Sequence, residues 1–149
     1  MNIVIEEKSS AIDILAEKYR LFQEEKARQI EVAEEIAVRL ISEAVETMSD
    51  GEFEKMENGS NPVVEKLIEI PERDWTAVKV VSEGKYADLS IKSASEIIRD
   101  AAKRHIDALN NLLGQFFFEY SHKECCGNTF FLLISLKEAG EEQGKGGDK

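Results

Sequence analysis

The chain has 149 residues, 42% of them hydrophobic, which is enough apolar material for one globular core. Its formal net charge is −11, from 30 acidic and 19 basic side chains, and such a surface repels nucleic acid and anionic lipid, so direct binding to either is disfavoured. Two adjacent cysteines, Cys125 and Cys126, make no disulfide framework, no apolar run approaches the ~18 residues of a membrane span, and residues 1–10 hold no secretory pattern, so a cytoplasmic protein is expected.

Residues 2–6 alternate weakly around Ile3 and Val4 and predict a short strand. Residues 9–49 predict a long helix. Apolar side chains recur at Ile12, Leu15, Tyr19, Phe22, Ile30, Ala33, Ala37, Leu40, Ala44 and Met48, mostly three and four apart, with no Pro or Gly among them. Ser9 or Ser10 can cap the start and Gly51 can end it. Such a helix would be ~60 Å long, whereas a compact domain of this size is only about 40 Å across. It must therefore fold back within the polar run 23–29, or project and meet another chain. An unbroken helix is the preferred reading, because that run holds no helix breaker and the eleven-residue step from Tyr19 to Ile30 keeps one stripe.

Residues 49–61, rich in Gly, Asn, Ser and Glu, read as a connection. Asn61 and Pro62 then resemble the start of a short helix with Val63, Val64, Leu67 and Ile68 on one face, closed by Pro71. From Trp75 the period shortens to two. Val78 and Val80, a polar turn at 82–85, and Ala87, Leu89 and Ile91 predict a hairpin. Ser93 and Glu96 form a capping-box pattern that opens a helix bearing Ile97, Ile98, Ala101, Ala102, Ile106, Leu109, Leu112 and Leu113 and stopping at Gly114. Residues 115–121 and 129–136 predict a last pair of strands joined across 122–128. The unalternating run Phe130 to Ile134 predicts a strand covered on both faces, with the second cover supplied by the amino-terminal helices or another subunit.

The expected fold class is α+β: a long amino-terminal helix, or helical hairpin, with a small antiparallel sheet of two hairpins and one packed amphipathic helix. Three regions are expected: an acidic helical arm and connection over 1–60, an α+β body over 61–136, and a disordered tail over 137–149. The charge is uneven, since residues 1–60 hold fifteen acids against seven bases.

Few residues suggest chemistry. His122, Cys125 and Cys126 are the one cluster of soft ligands, but a structural zinc site wants four. His122 could serve a thiol as a base, yet Glu124 opposes a lowered thiol pKa. Counted from Asp50, the EF-hand positions that need Gly and Glu hold Lys55 and Asn61, so calcium does not fit. No metal, cofactor or catalytic residue is therefore assigned. Lys92, Arg99, Lys103 and Arg104 read as a solvated helix face with Glu96–Arg99 and Asp100–Arg104 pairs, and Glu24–Arg28 and Glu35–Arg39 have the same stabilising order. Trp75 and Phe116 to Phe118 read as core. Over 9–49 nine acids face five bases, far too sparse a charge to imitate a DNA duplex.

The densest acid cluster is Glu43, Glu46, Asp50, Glu52, Glu54 and Glu57, with Phe53 and Met56 between them, and these eight residues are the candidate partner-binding patch. The function this suggests is that of a non-enzymatic acidic protein that binds and regulates or inhibits another macromolecule through a basic surface, for instance a nucleic-acid-handling enzyme. A homodimer is expected, joined by the arm or by the strand at Thr129. The alternative is an assembly factor or secretion-type chaperone dimer holding a partner segment along a sheet edge.

Overall fold

The computed structural model of the protein describes residues 2–81, 90–112, 114–123 and 127–137. Helix α1 (Asn2–Glu46) is unbroken over 45 residues and so ~67 Å long at 1.5 Å per residue. The polar run 23–29 passes through it without a kink residue, as preferred from the sequence. The short strand expected at 2–6 is instead the first turns of this helix. Nothing interrupts the helical register before Thr47, so a two-residue alternation there could not compete.

The expected connection at 49–61 contains a second helix, α2 (Asp50–Asn58). Ser49 is extended and caps it. Ser49 Oγ accepts from the Glu52 backbone N–H at 3.2 Å, and the Glu52 carboxylate accepts from the Ser49 N–H at 3.0 Å. Gly59, with φ of 82°, ends the helix in the left-handed region, where a side chain would be strained.

Residues expected to form a short helix after Pro62 are strand β1 (Val63–Glu69). Val64 and Ile68 are buried on one face, with Lys66 between them. That lysine at an inward position hid the period of two. The hairpin expected from Trp75 is also corrected, because residues 72–80 form helix α3 (Glu72–Val80). Pro71 opens it, its carbonyl accepting from the Asp74 and Trp75 N–H groups. Val78 is buried and Val80 exposed, so the two valines do not share a strand face. Ala87 and Leu89 lie outside the described residues.

Helix α4 (Ile91–Leu109) starts earlier than the Ser93 box implied, because Ser90 Oγ accepts from the Ser93 N–H at 3.2 Å. It ends at Asn110 rather than at Gly114. Ala94, Ile98, Ala101, Ala102 and Ile106 form its buried face. Strands β2 (Phe116–Ser121) and β3 (Thr129–Leu136) form the expected carboxy-terminal pair. The sheet order is β1-β3-β2, antiparallel throughout, with Ile68 opposite Phe130 and Phe118 opposite Ile134.

The core lies between the sheet's inner face and the helices. Ala33, Ile36, Ala37, Leu40 and Ile41 of α1 join α4, Val78 of α3, Met56 of α2 and the inner residues Val64, Ile68, Phe130, Leu132 and Ile134. Strand β3 does not have two equally covered faces. Phe130, Leu132 and Ile134 are buried, whereas Phe131 and Leu133 are only half-buried, and Val63, Leu67 and Phe117 on the same outer face are exposed. An outer face this apolar erased the alternation that would have marked it as open.

Two arginines expected to pair within one helix form ion pairs between elements instead. Arg39 reaches Asp74 of α3 at 2.5 Å and lies 3.7 Å from Glu43. Arg104 meets Glu34 of α1 at 3.3 Å, and Arg99, buried, donates to the Gly127 carbonyl. Burial raises the Tyr120 phenol above the ordinary tyrosine range, against the pull of the nearby Arg99 guanidinium.

Candidate protein-binding surfaces

The eight residues singled out from the sequence divide into anchors and a presented face. Met56 is buried. Glu52 closes the α2 capping box and holds Lys66 of β1 at 3.0 Å, and the Ser49 N–H followed by Lys66 lowers its carboxyl pKa below the usual range. Both residues fix α2 to the sheet. Asp50, Phe53, Glu54 and Glu57 are spaced three, four and seven apart, which puts them on one face of α2, and all four are exposed. Phe53 is 41% exposed, with its ring 6.2 Å from that of Phe116. Glu57 sits in the last turn of α2, where the helix dipole disfavours an anion. Among the described residues neither Glu54 nor Glu57 forms an ion pair. Glu43 belongs instead to the Arg39–Asp74 group, while Glu46 is exposed at the end of α1.

The second surface is the arm. α4 runs beside α1 in the same direction: Ile97 shares a groove of about 380 Å³ with Phe22 and Lys26, while Ala101 and His105 line another with Glu34 and Val38. α4 begins six residues before Ile97, so α1 runs past its start over the turns that carry Ile12, Leu15 and Tyr19. Those three side chains are 65%, 68% and 59% exposed.

A third surface, the free edge of β2, is occupied at Phe118. Asn110 Nδ2 donates to the Phe118 carbonyl at 2.6 Å and its Oδ1 accepts from the Phe118 N–H at 2.8 Å. The side-chain amide thus takes the place of a further strand, and a peptide adding there would have to displace it. Asn110→Leu leaves both backbone groups without these partners and is expected to cost about 1–3 kcal/mol. It should also raise the tendency to aggregate. Urea unfolding and light scattering of the variant check both effects.

His122 follows β2, and Cys125 and Cys126 lie outside the described residues. Among the described residues no three His, Cys, Asp or Glu side chains cluster as metal ligands would, and no helix is long and apolar enough to cross a membrane. No family model, curated protein or solved structure matches the chain.

The capping box at Ser49 and Glu52 was the sequence signal that could have separated anchors from presented residues. The Asn110 clamp has no such signal, because its partner is a backbone that only the sheet brings near.

Proposed function

We propose that the chain is a non-enzymatic acidic interaction protein that binds and regulates or inhibits a second macromolecule through that partner's basic surface. The observation carrying this reading is the anchoring of α2. With Glu52 and Met56 turned to the sheet, the helix presents Asp50, Phe53, Glu54 and Glu57 together as three carboxylates around one aromatic ring. Carboxylates steer encounter with a basic surface, and an exposed aromatic side chain supplies the desolvated anchor that long-range charge cannot. A nucleic-acid-handling enzyme, whose substrate channel is basic, is one partner class of this chemistry.

The test is capture on the immobilised full chain, wild type against a variant carrying Asp50→Asn, Glu54→Gln, Glu57→Gln and Phe53→Ala. A basic protein retained by the wild type, eluted by salt and lost by the variant is the expected result. Its association rate with a variant neutralised at the three acids alone should fall about tenfold or more at low salt, with a flatter salt dependence. Equal retention by wild type and variant would remove the face from consideration.

A further inference from the structure

The arm offers an apolar surface distinct from the α2 face, and its occupant can be argued from spacing and charge. Ile12, Leu15, Tyr19 and Phe22 follow one another at three, four and three residues, the a/d spacing of a coiled coil. The same register continues through Lys26 and Gln29 to Ala33, Ile36 and Leu40, which are buried in the body. One stripe therefore runs the length of α1, covered in its second half and bare from Ile12 to Tyr19, with the half-buried Phe22 beside Ile97 where the two parts meet. Ala11, Ala16, Lys18 and Gln23 flank the bare stretch, so three of the four flanking side chains are small or neutral and leave room for a second helix to approach.

We propose that residues 10–24 pair with the same segment of a second copy of this chain, antiparallel. The charge pattern favours a second copy at this place. Residues 10–26 hold four acids and three bases, a net −1 out of the −11 of the whole chain. Arg20 is already paired with Glu17 and, at 2.5 Å, with Glu24. Elsewhere two copies repel one another; along the arm they do not.

Direction follows from the same charges and from volume. Antiparallel alignment about residue 17 seats Ile12 against Phe22 of the second copy and Leu15 against Tyr19 of the second copy. Each layer then joins one aromatic to one aliphatic side chain, whereas parallel pairing would set tyrosine on tyrosine and isoleucine on isoleucine. It also places the two acidic bodies at opposite ends, their near edges at the buried Glu25 of each copy about 25 Å apart at 1.5 Å per residue, still beyond the ~8 Å screening length at physiological salt. Lys26, at the next a position, ends the apolar layers and fixes the register. Four layers make a small interface, but the helix is already formed by its packed half, so pairing carries little ordering cost. A dissociation constant in the micromolar range fits such a contact.

Sedimentation equilibrium of the full chain should show a dimer in that range. Leu15→Lys with Tyr19→Lys should weaken it at least ~100-fold, as loss of central hot-spot side chains from both copies implies. At protein concentrations below the dissociation constant, thermal unfolding of the body should not change, because both side chains lie outside the core. Orientation is read by mixing: a Leu15→Lys chain and a Tyr19→Glu chain, each impaired alone, should recover a mixed dimer, since only antiparallel pairing brings positions 15 and 19 into one layer. A wild-type monomer throughout the micromolar range, or a dimer untouched by the double substitution, would overturn the proposal. Failure of the mixture to recover would overturn the antiparallel direction. Neutralising Asp50, Glu54 and Glu57 should leave the dimer intact, which keeps this result separate from that of the α2 face.

Discussion

Phe130→Ala is expected to destabilise the protein by about 3–5 kcal/mol, the range for emptying a fully buried aromatic site. Phe130 is 0% exposed on the central strand, opposite Ile68, with its ring stacked on Tyr120 at 5.6 Å. The strands on both sides and the helices above all lose contact with the same ring, so local collapse cannot refill the space without shifting β3. Against a total stability of about 5–15 kcal/mol for an ordinary domain, this removes a large fraction. Urea denaturation would show the midpoint fall with an unchanged slope. Phe131→Ala, one residue along on the half-buried outer face, should cost less than half as much. Equal losses at the two positions would mean that the outer face is covered after all, as the sequence alone suggested.

That comparison also marks where the sequence could be read and where it could not. The long helix was legible because periodicity persisted for more than ten turns with no Pro or Gly, and the pair of strands at 116–121 and 129–136 because aromatic and β-branched residues crowd there. The class, α+β with a long amino-terminal helix and a small antiparallel sheet, followed from those two features. Residues 61–80 were misread because short segments carry too few repeats to fix a period. Val63, Val64, Leu67 and Ile68 fit a helical face as well as a strand, and pairing with β3 decided the matter. The spacing of Val78 and Val80 fits a strand, but Pro71 opens a helix there, its carbonyl accepting from the Asp74 and Trp75 N–H groups. In the candidate patch, acid density identified the region but not the roles, because Glu52 and Glu54 are the same residue type two positions apart. Only Lys66, fourteen residues away, tells which one is committed to the scaffold.

Arg39→Ala is expected to cost about 3 kcal/mol, more than Asp74→Ala, although both delete the same ion pair. The side chain of Asp74 is only 6% exposed, and its Oδ2 has no hydrogen-bond partner among the described residues. Removing Arg39 leaves a carboxylate away from water with only Arg73, at 3.6 Å and mostly solvated, to offset it. That remaining contact holds the loss to the low end of the 3–5 kcal/mol typical of a broken buried pair. Removing Asp74 leaves an arginine whose Nη1 is buried without a hydrogen-bond partner, but whose side chain is 36% exposed and 3.7 Å from Glu43, so the charge is partly hydrated and a smaller loss of about 2 kcal/mol is expected. Replacing both at once, with Arg39→Met and Asp74→Leu, puts apolar side chains against one another between α1 and α3 and should come close to wild-type stability. A double-mutant cycle by urea unfolding measures all three, and strongly non-additive losses are the expected signature. If the two single substitutions cost the same and simply add, the pair is not what joins α3 to the long helix, and the packing of Trp75 and Val78 holds that junction alone.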